Sequence, residues 1–373
     1  MRAGPFSRGD PTEPPRFRSG ANTAAPRFRP GFDRPEALPG RRPCILRPLP
    51  SPARGRAPFR IPMKLTVVGA GNVGATVAEC VARMDIVERI ALIDINEGVA
   101  KGKALDLMQT APIHGFDTVI EGGADYGITA GSDITVITAG LPRKPGMSRD
   151  DLLKVNADIV SSVTRQVVEQ SPNTILIVVS NPLDVMTYVA YMESGFPSNR
   201  VMGMAGVLDT ARFRTFLKME LGVSIRDINA MLLGGHGDTM TPLPRFTTIG
   251  TQPVTDLIPE ARLNEIIDRT KKGGGELVGL MGTSAWYAPG AGAAEMVEAI
   301  VKNSGRVLPV AAWVTGQYGL NEMFIGVPVK LGTGGIQETI ELSLDDAEKA
   351  TMLQSGAAVQ ELLDAYEAIR NAA

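Results

Sequence analysis

The sequence predicts an α/β protein in which a doubly wound parallel sheet of the Rossmann type is followed by an α+β domain. Three observations carry that expectation. Over residues 63–205, short and nearly continuous apolar runs alternate with helical patterns, as in a parallel sheet covered on both faces. The first run leads straight into a glycine-rich turn, and the second ends in an acid 20 residues beyond the last of those glycines. Over 206–373, longer helical stretches and strands are mixed, and one strand ends in a glycine-flanked histidine.

In chain order, Lys64–Val68 is a β-branched run followed by Gly69-Ala-Gly71-Asn72-Val73-Gly74, a helix over 75–84 and a second strand over 89–94 ending in Asp94. Three glycines at this spacing also occur in ordinary tight turns; their place between a strand and a helix makes them a dinucleotide fingerprint. Gly69 permits the turn, Gly71 lets the backbone approach a pyrophosphate, and Gly74 lets helix pack on strand, with the helix N-terminus facing the phosphates. Asp94 would accept hydrogen bonds from a ribose and repel a 2′-phosphate, which favours NAD over NADP. Further strands are expected at 117–121, 133–137 and 174–179. The loops after the last two hold Gly140, Arg143, Arg149 and Asn181, where such sheets bind ligands.

In the second half, a helix over 207–219 carries Asp209 and Arg212 at i, i+3, a spacing that on its own suits a surface ion pair. Met231-Leu-Leu-Gly-Gly-His236-Gly-Asp238 then ends a strand in an imidazole with room around it, whereas His114 has no such setting. Helices are expected at 257–280, with Gly273–Gly275 interrupting it, at 290–304 and at 343–370, with strands between 305 and 330.

Composition narrows the function. No apolar run approaches the ~18 residues a membrane span needs. Two cysteines and two histidines exclude a disulfide framework and the usual zinc spacings. Residues 1–62 hold 13 Arg, no Lys, four acids and 14 of the 27 prolines, so they carry a strong positive charge while the rest is acidic. That segment reads as disordered. A translated upstream region with a mis-assigned start fits it best, ahead of a transit peptide, which its prolines obstruct, and of a nucleic-acid arm.

Five motifs in register, GAGNVG, LPRKPGMSRDDLL, NPLD, LDTARF and GGHGD, resemble the lactate/malate dehydrogenases, and within them the bacterial malate branch built on the lactate dehydrogenase pattern. The resemblance covers 63–373. It implies an NAD-binding domain over 63–205 and a catalytic, substrate-binding domain over 206–373, acting on malate and oxaloacetate. His236 would exchange the substrate's proton, Asp209 would hold and charge that imidazole, and Arg212 would clamp a carboxylate with a two-pronged guanidinium. Arg149 would polarise the carbonyl, Asn181 would orient substrate, and Arg143 would read a second carboxylate, with 140–148 as a lid. Asn72, Val73, Asn156, Val179 and Asn181 would join Gly69, Gly71, Gly74 and Asp94 around NAD, and Thr283 to Tyr287 would lie near the substrate. The family also implies a cytoplasmic homodimer or homotetramer, with no membrane or nucleic-acid partner. The alternatives are a lactate dehydrogenase, an NAD-dependent glycosidase, which the scarcity of Cys and His disfavours, and a non-catalytic NAD-binding protein using the basic arm.

Overall fold

The computed structural model describes residues 62–142 and 149–372. The basic segment 1–61 and the loop 143–148 with Arg143 lie outside the described residues, as does the side chain of Arg149.

The first half runs β1 (Lys64–Val68), α1 (Asn72–Met84), β2 (Arg89–Ile93), α2 (Glu97–His114), β3 (Val119–Gly123), β4 (Ile134–Ile137), α3 (Arg149–Gln170), β5 (Ile175–Val178), α4 (Leu183–Ser194) and β6 (Val201–Gly203). The second half opens with α5 (Gly206–Leu221). The short strands β7 (Ile228–Asn229), β8 (Leu232–Leu233), β9 (Thr241–Pro242), β10 (Thr248–Ile249) and β11 (Gln252–Pro253) follow. It closes with α6 (Glu260–Met281), α7 (Tyr287–Val301), β12 (Val307–Thr315), β13 (Asn321–Gly332), β14 (Gly335–Thr339) and α8 (Asp346–Ala372).

Six strands lie parallel in the order β3-β2-β1-β4-β5-β6, and β12, β13 and β14 continue the same sheet antiparallel beyond β6. The parallel strands are apolar along their length because helices cover both faces: every residue of β4 and β5 is buried. Fully buried Leu65, Leu92 and Leu176 each stabilise the sheet by about 1.5–3 kcal/mol. Strand order reverses between β1 and β4, which opens a crevice at their C-terminal ends.

Two expectations need correction. The third strand lies at 119–123, two residues later than read, because Asp117 and Thr118 are tied by their peptide N–H groups to the Asp85 carboxylate and stay outside it. Gly273–Gly275 do not interrupt a helix, since α6 runs unbroken through them. Packing overrides the cost of about 1 kcal/mol per helical glycine, for a reason that lies in the site.

Candidate active site

The turn after β1 is built for close approach. Gly69 has φ of +104°, and its N–H donates to the Ile93 carbonyl at 2.7 Å. A Cβ on Gly74 would sit 1.8 Å from the Gly69 carbonyl oxygen, so only glycine lets α1 start this near the turn. A Cβ on Gly71 would meet nothing within 4 Å. Gly71 offers no side chain to cap α1, so the N–H groups of the first turn, Asn72 and Val73 among them, keep their capacity for an anion. Asp94, just past β2, accepts the Ala70 N–H at 2.8 Å and the Asn96 N–H at 2.9 Å, which holds its carboxylate beside the turn. These residues fit a dinucleotide phosphate and ribose.

A cavity of about 480 Å³ opens beyond this turn, lined by Val73, Asn156, Val179, Asn181, Arg212 and His236 among others. Six sequence-predicted residues from both halves of the chain therefore converge. Asn156, buried on α3, spends its side-chain amide on backbone. It accepts the Leu141 N–H at 2.8 Å and donates to the carbonyls of Leu141 at 3.1 Å and Asn181 at 2.7 Å. It thus ties the loop after β4 to the loop after β5 and braces the cavity wall.

Asp209 and Arg212 are no surface pair. Asp209 sits in the first turn of α5 with its side chain only 2% exposed. One carboxylate oxygen meets His236 Nδ1 at 2.9 Å, and the other accepts from Arg212 Nη1 at 3.2 Å. Burial pulls the His236 imidazole down, and Arg212 adds to that pull. The charge and hydrogen bond of Asp209, with the charge of Asp184, outweigh both and leave it above its ordinary value. The glycines around it supply conformations a side chain would oppose: Gly234 and Gly237 have φ of +86° and +95°.

The glycine run of α6 gains its account here. A Cβ on Gly273 would stand 3.2 Å from Arg212 Cδ and one on Gly274 3.8 Å from Arg212 Nη2, while Gly274 and Gly275 line the cavity. The missing side chains leave Arg212 its channel. Ser284, Ala285 and Pro289, in and just beyond the stretch 283–287, line the same cavity, and so does Lys271.

Sequence reasoning passed over Asp184 and Ser355. The Asp184 carboxylate accepts the His236 N–H at 3.0 Å, and the Ser355 hydroxyl accepts the Gly235 N–H at 2.8 Å. Asp184 carried a signal in the NPLD motif; Ser355, on a helix 120 residues away, carried none.

Residues 63–203 match the lactate/malate dehydrogenase NAD binding domain, and 206–371 match the lactate/malate dehydrogenase alpha/beta C-terminal domain. The chain is 62% identical over 309 residues to the malate dehydrogenase of Salinibacter ruber, covering 83% of this chain and 98% of that protein. The solved structure of malate dehydrogenase from Salinibacter ruber superimposes with a TM-score of 0.80 at 60% identity, covering 83% of this chain and 99% of that one. A lactate dehydrogenase from Cryptosporidium parvum, complexed with lactic acid and nicotinamide adenine dinucleotide, gives a TM-score of 0.79 at 35% identity over 82% of this chain and 98% of that one.

Proposed function

The chain belongs to the lactate/malate dehydrogenase family and is an NAD-dependent oxidoreductase of the malate type; on that premise we propose how its own residues run the reaction. The observation that carries the proposal is the chain of contacts from His236 through Asp209 to Arg212 along one wall of the cavity.

In the direction of oxaloacetate reduction, Arg212 grips the substrate's C1 carboxylate with a planar pair of donors. His236, charged with the help of Asp209, gives its proton to the carbonyl oxygen and is left as a neutral imidazole. In malate oxidation the same ring takes the proton back. Asn181 orients the carbonyl from the loop that Asn156 braces. Arg149 steadies the developing negative charge on that oxygen, and Arg143 reads the far carboxylate, roles that rest on the motif LPRKPGMSRDDLL. The glycine turn and Asp94 would hold the nicotinamide dinucleotide, whose chemistry is hydride transfer: with the proton from His236 it would complete the addition of two hydrogens across the carbonyl, and the reverse in malate oxidation.

A cation at position 143 that pairs with the far carboxylate would favour a dianion over pyruvate, because the pyruvate methyl would leave it unpaired. Initial rates of NADH oxidation by the full chain, with oxaloacetate and pyruvate side by side, test this. Oxaloacetate should be strongly preferred, and Arg143→Gln should erode the ratio by about tenfold or more. A ratio untouched in the variant means that Arg143 only meets solvent.

We assign the protein to the cytoplasm as a homodimer or homotetramer. No described helix is long and apolar enough to cross a membrane. Of the 18 residues of α2 only Ala100 and Ala104 are buried, while Val99, Leu105 and Ile113 are exposed, a face suited to a second copy.

A further inference from the structure

Two consecutive peptide N–H groups of the histidine loop are held by side chains from two distant elements. The Gly235 N–H goes to Ser355 Oγ on α8, and the His236 N–H goes to Asp184 Oδ2 in the first turn of α4. Both acceptors are more than nine-tenths buried, Asp184 at 6% and Ser355 at 2% exposure. The other Asp184 oxygen is buried with no hydrogen-bond partner. No cation is bonded to this carboxylate among the described residues, and its nearest charged neighbours in effect are His236 and Asp209.

We propose that Asp184 is a positioning residue: it anchors the His236 peptide and holds a second negative charge behind the imidazole, so that His236 works between two carboxylates rather than one. A neutral acceptor such as Ser355 anchors the neighbouring peptide without adding charge, so the loop's geometry did not require an acid at 184. Burial pushes the Asp184 carboxyl up to about 6, with the Asp209 charge adding to that push, against the lowering pull of the His236 N–H and charge. Once ionised, above that value, its charge favours the protonated form of the imidazole beside it. The groups facing His236 are Asp209 and Arg212 from α5 and Asp184 from α4. Asp238 of its own loop and Lys271 of α6 line the same cavity, and α8 faces the loop with uncharged Ser355.

The chain's two histidines make the test direct. NMR titration of the imidazoles in the full chain reads His236, with His114 as internal reference. Asp184→Asn keeps the shape and an acceptor oxygen while removing the charge. It should lower the His236 pKa by roughly half a pH unit or more and leave His114 unmoved. Asp184→Ala, which also removes the anchor, should cut kcat for oxaloacetate about tenfold with little change in KM. An unmoved His236 titration in Asp184→Asn overturns the proposal. Should that variant not fold, amide exchange in the wild type decides: slow exchange at Gly235 and His236 is expected, and exchange as fast as at Gly237 overturns it. The inference rests on the dehydrogenase reading only for its rates. A wild type inactive with oxaloacetate would sink that reading, while the titration would still judge Asp184.

Discussion

Asp209 gives one oxygen to His236 and the other to Arg212, so one buried acid touches both the proposed proton donor and the proposed carboxylate clamp. The sign of the pH dependence follows. With His236 as the proposed proton donor, oxaloacetate reduction would need the charged imidazole, which is present below the ring's raised pKa and lost as pH climbs through it. Asp209→Asn removes the stronger of the two supports, so the alkaline fall of kcat/KM for oxaloacetate should move to lower pH, with kcat down by about a hundredfold. A pH profile of the variant reads both, and a fall that stays in place would mean that Asp209 orients the ring without tuning it. The pairing of Asp209 with Arg212 was legible as an i, i+3 spacing. Its burial was not, because burial depends on α6 and the histidine loop closing over that helix face.

On the scale of single elements, α6 trades helix propensity for space. Gly273→Ala should hold or raise the thermal midpoint, since alanine is the better helix former by about 1 kcal/mol. It should also raise KM for oxaloacetate several-fold as its Cβ displaces Arg212 by a few tenths of an ångström. Gly279→Ala on the same helix, where an added Cβ meets nothing within 4 Å, serves as the control and should leave KM alone. Parallel rises in KM for both variants would mean that the helix, and not the Arg212 channel, is what the substitution disturbs. The same helix marks the limit of reading by pattern. Three consecutive glycines resemble a break when only local preference is weighed, and the contact that explains them spans some 60 residues of sequence. The turn at Gly69, Gly71 and Gly74 was legible for the opposite reason: strand, turn, helix and Asp94 are contiguous, and each residue answers to its immediate neighbours. Asn156 and Ser355 are intermediate and extreme cases, one bracing loops 15 and 25 residues away and the other 120.

Across residues 62–372 one sheet joins the two halves of the chain. Gly203 of β6 lies opposite Ala311 of β12, and a Cβ on Gly203 would come within 2.5 Å of Thr187 Oγ1 and 3.0 Å of the Ala311 Cβ. Halves joined this closely should unfold together. Both tryptophans, Trp286 and Trp313, belong to the second half, whereas far-UV circular dichroism reports on all the helices. Urea transitions followed by the two signals should therefore coincide; a tryptophan transition that separates from the dichroism would show that the halves fold independently. The alternation of apolar strands and helices was enough to predict five of the six parallel strands and their order; β6, only three residues long, gave too short an apolar run to read. That β12, β13 and β14 would extend the same sheet was not legible, because antiparallel strands carry no mark of which edge they will join.

The approach of α1 to α7 is close. A Cβ on Gly290 would lie 2.6 Å from the Thr76 Cβ, so the helix whose first turn faces the cofactor and the helix whose first turn walls the substrate cavity meet backbone to side chain. The cofactor's floor and the substrate's wall are one mechanical part. A larger side chain at position 290 would therefore push on the helix behind the glycine turn and on the cavity wall at once.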